Sequence, residues 1–260
     1  MKINLSNKRA FVTGSSGGIG RAIAIALAEA GAEVAVHYNR NAEGAQETLD
    51  LIGNQKGKLI LGGDVSDPAV VEGWFNRIKD EWGGLDIFIN NAGMDGEKQP
   101  LADSEPEDWE KIISVNLLGG YYGIRQALKL MLPEKSGVII SVTSVHERIP
   151  WAGQSAYCAS KAGISMLTQS LALEVSDQGV RVLCIAPGAI RTDINKDVWS
   201  DEAQLADLNS KVPMARIGEA SEIANLTVAL ASEKIGSYMT GTTVFADGGM
   251  TAYPSFAEGG

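Results

Sequence analysis

Cysteine is scarce in this sequence of 260 residues, which contains only Cys158 and Cys184. Two isolated cysteines provide neither a disulfide framework nor a zinc-binding pattern. Free thiols are typical of a reducing compartment, and no apolar signal-peptide segment precedes the first predicted strand. We therefore expect a cytoplasmic protein that has no metal site.

The sequence is also short of positive charge and of long apolar runs. It has 22 Lys and Arg residues against 32 Asp and Glu residues, a formal net charge of −10. An acidic surface argues against binding to nucleic acid or to an anionic membrane. No apolar run reaches the ~20 residues that a membrane-spanning helix needs. We therefore expect neither nucleic acid nor membrane as a partner.

Apolar strand patterns alternate with helical patterns along the whole chain. The composition is that of an ordinary globular protein, 45% hydrophobic and 21% charged. The alternation predicts an α/β fold with a single doubly wound, Rossmann-like parallel sheet of about seven strands and helices on both faces. We expect one domain over residues 1–260, with a substrate loop at about 189–216 and a C-terminal tail at 247–260.

The first strand pattern, residues 9–13, runs into the segment GSSGGIG (14–20) and then into the helical pattern RAIAIALAEA. Glycines let a backbone approach a pyrophosphate, and a helix N-terminus presents free N–H groups and partial positive charge. Glycine clusters also form ordinary turns, but the strand before and the helix after favour a dinucleotide-binding turn.

The second strand pattern, Glu33–Tyr38, lacks an acidic residue at its carboxyl end. In doubly wound folds this end meets the adenosine ribose, where an acid accepts hydrogen bonds from the ribose and repels a 2′-phosphate. Here Arg40 either pairs with a 2′-phosphate or is a solvated loop residue. We expect NADP to be favoured, with NAD also usable because the glycine turn contains no basic residue.

Two further strand ends carry candidate ligand-binding residues. Asp64 and Val65 follow the third strand pattern, where Asp64 either meets an adenine edge or caps the next turn. The segment NNAG (90–93) ends a strand that is apolar throughout, at the edge where such folds place their ligands.

A long helix is predicted from the capping-box spacing of Ser104 and Glu107 through to Leu132. Asn116 lies in its apolar segment SVNLLGG and must hydrogen-bond to something. It either satisfies a carbonyl at a kink or holds a water beside the catalytic residues, and both roles can be combined.

Tyr157 and Lys161 are four residues apart on a predicted helix, so the phenol and the ammonium lie on one face. A neighbouring cation lowers a tyrosine pKa from about 10, and reaching ~7 takes about 4 kcal/mol of preferential phenolate stabilisation. Ser144 ends the strand pattern GVIISVTS and places its hydroxyl where this helix begins. The Tyr–Lys spacing alone also arises by chance.

Together these motifs resemble the short-chain dehydrogenase/reductase family over essentially the whole chain. The matching motifs are TGSSGGIG (13–20), Asp64-Val65, NNAG, Asn116, Ser144, Tyr157-x-x-x-Lys161 and Pro187-Gly188 followed by Thr192. The resemblance implies that Tyr157 is the general acid/base and that Lys161 lowers its pKa and binds the nicotinamide ribose. It also implies that Ser144 bonds the reacting oxygen and that Asn116 holds a water of the proton relay.

The same resemblance implies the cofactor site. Gly14, Gly18 and Gly20 would form the pyrophosphate turn, Asn90 would lie near the adenosine ribose, and Thr192 near the nicotinamide carboxamide. The remaining expected cofactor contacts are Ser16, Ile19, Arg40, Asp64, Val65, Ala92, Gly93, Tyr157, Lys161, Pro187, Gly188 and Ile190. The family also implies a homotetramer with subunit contacts on the helices near 106–132 and 154–178.

Three longer segments look like bacterial NAD(P)-dependent glucose 1-dehydrogenases: SVHERIPW (144–151), PGAIRTDIN (187–195) and TGTTVFADGGMTAYPSF (240–256). This likeness implies oxidation of β-D-glucose, or a similar aldose, at C1. Substrate contacts would come from Ser144, His146 and Tyr157, with Glu147 as a further sugar ligand. His146 alternatively is a loop residue tied to the backbone. The chain departs from that subgroup after Tyr38, where Asn39 replaces a basic residue.

Two other functions share these motifs. An NADPH-dependent reductase of another carbonyl, such as a 3-oxoacyl thioester, a ketone, a sugar or a polyol, would have the same catalytic residues. A non-catalytic dinucleotide-binding protein usually lacks the tyrosine or the lysine, and both are present here.

Overall fold

The computed structural model of the chain describes residues 3–53, 58–192 and 195–252. In that part of the chain nine segments are strands. They are β1 (Arg9–Val12), β2 (Glu33–Tyr38), β3 (Leu59–Gly62), β4 (Ile87–Asn90), β5 (Gly137–Val142), β6 (Val180–Pro187), β7 (Ile190–Arg191), β8 (Gly218–Glu219) and β9 (Thr243–Ala246).

Seven of these strands form one parallel sheet in the spatial order β3-β2-β1-β4-β5-β6-β9. The central strands are apolar because helices cover both of their faces, and β4 is buried at every position. The strand order reverses between β1 and β4, and doubly wound sheets bind their ligands at such a reversal. The predicted Rossmann-like α/β fold is confirmed.

The helices lie in two layers. They are α1 (Gly18–Glu29), α2 (Ala42–Ile52), α3 (Pro68–Trp82), α4 (Pro106–Ile113), α5 (Gly119–Glu134), α6 (Ser155–Val175), α7 (Lys196–Trp199), α8 (Glu202–Ser210), α9 (Ala220–Ala231) and α10 (Glu233–Gly236). One apolar core joins α1, α2 and α9 to the sheet, and the other joins α3, α5 and α6 to its opposite face. No helix in the described ranges is long and apolar enough to cross a membrane.

The predicted capping box at the start of α4 is wrong. The Ser104 hydroxyl donates to the carbonyl of Leu101 at 2.8 Å, so it is used by the preceding short turn. Helix α4 starts instead after Glu105, with Pro106 in its first position and no side-chain cap. A capping box is present at α9, between Glu219 and Glu222.

The predicted long helix is also interrupted. A π-helical turn, Ser114–Leu118, separates α4 from α5 and contains Asn116. Single π turns within helices often mark functional sites because they redirect the side chains and carbonyls of one turn.

The segment predicted as a substrate loop, residues 189–216, contains regular structure where it is described. It includes β7, α7 and α8, and β7 pairs with β8 in a separate two-stranded sheet. Of the C-terminal tail, residues 247–252 are described. The tail residues Tyr253, Pro254 and Phe256, which contribute to the sugar-dehydrogenase likeness, lie outside the described residues.

Candidate active site

A cavity of about 1390 Å³ lies at the carboxyl ends of the parallel strands. It brings together residues that are far apart in the chain, from Gly14 to Met250. Of the residues predicted for the site, those that line it are Gly14, Ser16, Gly18, Ile19, Gly20, Arg40, Asp64, Val65, Ala92, Gly93, Ser144, His146, Tyr157, Lys161, Pro187, Gly188, Ile190 and Thr192. Asn90 and Asn116 do not.

The glycine turn can accept a pyrophosphate. Gly14 has a φ of 65°, which favours glycine, and a Cβ on Gly20 would collide with the Gly14 carbonyl oxygen. The N-cap of α1 is Gly17, which offers no side-chain acceptor, and the first turn of the helix carries no acidic residue. The N-terminal N–H groups are therefore not capped by a side chain, and nothing of negative charge opposes an anion there.

His37, which was not predicted as a site residue, holds the glycine turn in place. Its Nδ1 accepts the Gly14 N–H at 2.9 Å, so Nε2 carries the proton and donates to the Gly63 carbonyl at 3.0 Å. Burial lowers the pKa of His37 to about 4, and the ring is neutral at physiological pH. The available sequence signal was a histidine within the buried strand β2.

The two asparagines of NNAG have different positions. Asn90, predicted near the adenosine ribose, is buried, and its amide donates to Ser141 Oγ at 3.3 Å on the neighbouring strand. Asn91 lines the cavity, and its amide donates to the carbonyls of Thr13 at 2.8 Å and Gly14 at 3.2 Å. Asn91 lines the cavity and Asn90 does not, because adjacent residues at a strand end point to opposite sides. The predicted contact of Asn90 with the adenosine ribose stays a prediction.

The cavity end next to β2 contains two arginines. Arg21 Nη2 donates to the Ser16 carbonyl at 2.8 Å and pairs with Glu47 at 2.8 Å. Arg40 is exposed and makes no hydrogen bond or ion pair within the described part of the chain. Arg40 is thus the basic side chain there that is free to meet a ligand.

Asp64 lines the cavity and also stabilises its own turn. Its Oδ1 accepts the Ser66 N–H at 2.9 Å and the Ser66 hydroxyl at 2.8 Å. The cap of helix α3 is Asp67, whose carboxylate accepts from two backbone N–H groups.

Lys161 is buried, with 7% of its surface exposed, and Nζ donates to the Val142 carbonyl at 3.0 Å. Its ammonium lies 5.6 Å from the centroid of the Tyr157 ring. Burial lowers the pKa of Lys161 to about 8.

The expected lowering of the Tyr157 pKa by Lys161 is not found in the structure. Burial of the phenol raises the pKa of Tyr157, and the hydrogen bond with Ser144 opposes that rise. The charge of Asp95 raises it further. Burial therefore outweighs the Ser144 hydrogen bond, and the Lys161 ammonium is itself bound to the Val142 carbonyl.

Asn116 connects three segments around the site. Its Oδ1 accepts the Met94 N–H at 2.8 Å, while Nδ2 donates to the Met94 carbonyl at 2.7 Å and to Ser160 Oγ at 3.0 Å. The side chain therefore satisfies a carbonyl, the first of the two alternatives. The predicted role of Asn116 in holding a relay water stays a prediction.

The far side of Tyr157 is an aromatic wall. His146 stacks on Trp151 with ring centroids 4.6 Å apart, and Tyr157 meets both rings edge-on at 6.3 Å. His146 Nδ1 is 3.0 Å from the Ile149 carbonyl, so the backbone-tied alternative holds and Nε2 remains available. The ammonium of Lys98 lies over the Trp151 ring, 5.9 Å from its centroid.

Glu147 does not reach the cavity. Its Oε1 accepts the Ser165 hydroxyl at 2.9 Å, which directs the carboxylate towards α6. The prediction of Glu147 as a sugar ligand is therefore corrected, because a side chain bonded to α6 faces away from the substrate space.

Known proteins resemble this chain along nearly its full length. A family model described as enoyl-(acyl carrier protein) reductase matches residues 14–251. A 3β-hydroxysteroid dehydrogenase of Eggerthella lenta is 42% identical over 258 residues, covering 98% of each protein. A glucose 1-dehydrogenase of Bacillus subtilis is 39% identical over 257 residues, covering 98% of this chain and 99% of that protein.

A solved structure extends the likeness to three dimensions. A short-chain type dehydrogenase/reductase from Mycobacterium marinum matches with a TM-score of 0.88 and 35% identity, covering 95% of this chain and 97% of that one. The substrates in the names of these proteins differ, so overall similarity does not choose among them.

Proposed function

Because this chain belongs to the short-chain dehydrogenase/reductase family of NAD(P)-dependent oxidoreductases, we propose that it oxidises β-D-glucose, or a similar aldose, at C1. The product is the lactone. The proposal makes Tyr157 the general base, Ser144 the group that binds the reacting oxygen, and Lys161 and Asn116 the supports of proton transfer.

In this mechanism Tyr157 takes the proton of the C1 hydroxyl, and the hydrogen on C1 departs as hydride. NAD(P), when bound, supplies the hydride acceptor. The Ser144 hydroxyl donates to the reacting oxygen and stabilises its developing negative charge. Lys161, whose ammonium lies over the Tyr157 ring, favours the phenolate and binds the ribose hydroxyls.

The observation that carries the sugar assignment is the wall beside Tyr157. The rings of Trp151 and His146 line the cavity, and Nε2 of His146 has no hydrogen-bond partner among the described residues and can accept from a hydroxyl. A planar aromatic surface combined with polar groups suits a sugar ring, which has both C–H faces and hydroxyls. Charged and amide side chains complete this part of the cavity: Asp95, Lys98, Asn195, Gln204, Asp207 and Lys211.

The cofactor preference is proposed from the other end of the cavity. Arg40 is unpaired among the described residues and exposed, which supports NADP with NAD as a second cofactor. The cavity-lining glycine turn and Asn91 support the same placement of the dinucleotide.

Residues 189–216 are proposed as the lid over the substrate, in a single catalytic domain. We further propose a cytoplasmic homotetramer. Large exposed apolar side chains on the π-helical turn, α5 and α6 support contacts between copies: Leu118 and Tyr121 are 39% and 43% exposed, and Met166 and Leu173 are 61% and 87% exposed.

A second candidate is an NADPH-dependent reductase of another carbonyl. Four apolar side chains line the same cavity and would suit a less polar substrate, namely Met94, Val198, Leu208 and Met250. The E. lenta relative, named for a hydroxysteroid, is consistent with this candidate.

The experiment is a substrate panel followed by absorbance of the reduced nicotinamide. Glucose, other aldoses, a 3β-hydroxysteroid, a ketoester and a 3-oxoacyl thioester are each tested with NADP(H) and NAD(H). We expect the largest kcat/KM with glucose or a related aldose, and at least a tenfold rise of KM for it in Trp151→Ala. Turnover of the ketoester without turnover of any sugar would overturn the assignment in favour of the second candidate. Tyr238→Ala, at a fully exposed position, is the matched aromatic control.

A further inference from the structure

A polar cluster lies behind Lys161, outside the cavity. Glu147 Oε1 accepts the Ser165 hydroxyl at 2.9 Å, and Ser165 Oγ is 3.3 Å from Thr243 Oγ1 on the edge strand β9. Glu147 Oε2 is buried and has no hydrogen-bond partner among the described residues. A buried carboxylate oxygen without a partner is costly, so a compensating charge is expected nearby.

The charge of Glu147 acts on the ammonium of Lys161. Ser165 follows Lys161 by four residues on α6, so the two side chains lie on one face of the helix. The hydrogen bond to Ser165 therefore holds the Glu147 carboxylate next to the turn that carries the ammonium. Lys161 itself has a neutral acceptor, the Val142 carbonyl, and no carboxylate within ion-pair distance among the described residues.

The other titratable groups beside Lys161 are Tyr157, whose ring centroid is 5.6 Å from the ammonium, and Cys184 on β6. Burial raises the pKa of this thiol to about 12, and Sγ donates to Thr168 Oγ1 at 3.2 Å. Cys184 is therefore neutral near pH 7. Besides Cys184, Glu147 is the described group whose charge acts on Lys161.

We propose that Glu147 is a positioning residue that keeps the buried Lys161 ammonium protonated. A buried ammonium tends to lose its proton unless an opposite charge compensates for its lost hydration. The carboxylate supplies this compensation from outside the cavity, where it cannot obstruct the cofactor or the substrate. The inference rests on the proposed role of Lys161 but holds for any substrate.

The pH dependence of stability tests this proposal without cofactor or substrate. Glu147→Gln keeps the shape and an acceptor for Ser165 but removes the charge. Unfolding by urea is followed from pH 6.5 to 9.5 in the ligand-free protein. Where Lys161 is charged, losing the carboxylate destabilises the fold; where Lys161 is neutral, the carboxylate has no counter-charge and its loss costs little.

The expected result is a lower urea midpoint for Glu147→Gln at pH 6.5 that rejoins the unsubstituted protein by pH 9.5. Thr243→Val is the control, because it removes a hydroxyl of the same cluster and keeps both the Glu147 charge and its hydrogen bond from Ser165, and its effect should not vary with pH. In a Lys161→Met background, Glu147→Gln should no longer destabilise at pH 6.5. The proposal would be overturned if Glu147→Gln lowered the urea midpoint by the same amount at every pH. It would also be overturned if the substitution lowered the midpoint equally in the Lys161→Met background. Neither outcome depends on which substrate is turned over, so a failed sugar assignment remains separable from it.

Discussion

The backbone N–H of Gly14 donates to Nδ1 of His37 at 2.9 Å. A hydrogen bond from an N–H requires a lone pair on Nδ1, so only the neutral imidazole with its proton on Nε2 can make it. That ring also reaches Gly63 beyond β3, and it packs 4.5 Å from the Trp74 ring centroid. Two side chains thus hold the glycine turn: His37 accepts the N–H of Gly14, and the Asn91 amide donates to its carbonyl.

Replacing His37 should weaken both the fold and the nucleotide site. His37→Phe leaves the Gly14 N–H without an acceptor, and we expect a loss of about 1–3 kcal/mol in the free energy of unfolding. His37→Asn keeps an oxygen near the position of Nδ1 and should retain part of that stability and most of the NADP affinity. Urea unfolding and nucleotide titration measure the two effects. Equal behaviour of the two variants would show that the acceptor does not matter.

The same histidine should make the free energy of unfolding decrease at acid pH. The pKa of His37 is about 4 in the folded protein and 6.5 in the unfolded chain. Between these values the unfolded chain binds a proton that the folded protein does not, so stability falls as the pH drops from about 6.5 to 4. The full effect is about 3 kcal/mol at ~1.36 kcal/mol per unit. In His37→Asn this part of the pH dependence should disappear.

Tyr157→Phe should lower kcat by at least about 100-fold, because the proton of the substrate hydroxyl then has no acceptor. Ser144→Ala should lower kcat by about 100-fold through loss of a hydrogen bond to the reacting oxygen. Both variants should bind NADP with nearly unchanged affinity in a fluorescence titration. Cys158→Ala, at the adjacent position, is the control and should retain activity. Normal turnover by Tyr157→Phe would refute the assigned base.

Two glycines of the turn allow packing and ligand binding to be separated. A Cβ on Gly20 would collide with the Gly14 carbonyl, whereas a Cβ on Gly17 meets nothing within 4 Å. Gly20→Ala should therefore cost about 1–3 kcal/mol of stability without nucleotide. Gly17→Ala should change the free energy of unfolding by no more than about 0.5 kcal/mol. If a pyrophosphate lies on the N-terminus of α1, Gly17→Ala should still weaken nucleotide binding, and unchanged binding would place the cofactor elsewhere.

Arg40 should set the preference between the two cofactors. Arg40→Ala is expected to lower kcat/KM for NADP by about 10- to 100-fold, since one charge-assisted hydrogen bond to a phosphate is worth about 1.5–3 kcal/mol. The value for NAD should change little, because NAD lacks the 2′-phosphate. Arg40→Lys keeps the charge, and its kcat/KM for NADP should lie between the values of the unsubstituted protein and of Arg40→Ala. A parallel loss for both cofactors would mean that Arg40 acts on the fold or on the shared part of the dinucleotide.

The order of elements was predictable because it depends on local pattern. Strands such as β4 are apolar at consecutive positions, which requires burial on both faces, and helices separate them at regular intervals. The local sequence pattern assigns the glycine turn, Ser144 and the Tyr157–Lys161 pair to the carboxyl ends of strands or to a helix start. Those positions converge on one cavity because parallel strands end at one edge of the sheet.

The sequence by itself determined the doubly wound fold and the family motifs of the site, because both depend on local runs of residue types. The tertiary structure decided which asparagine of NNAG lines the cavity. Asn91 lines it, whereas the Asn90 amide bonds to Ser141 on the neighbouring strand β5. It also decided the role of His37 and the direction of the Tyr157 pKa. These depend on burial and on partners 20 to 80 residues away, and such distances become contacts only when the chain is folded.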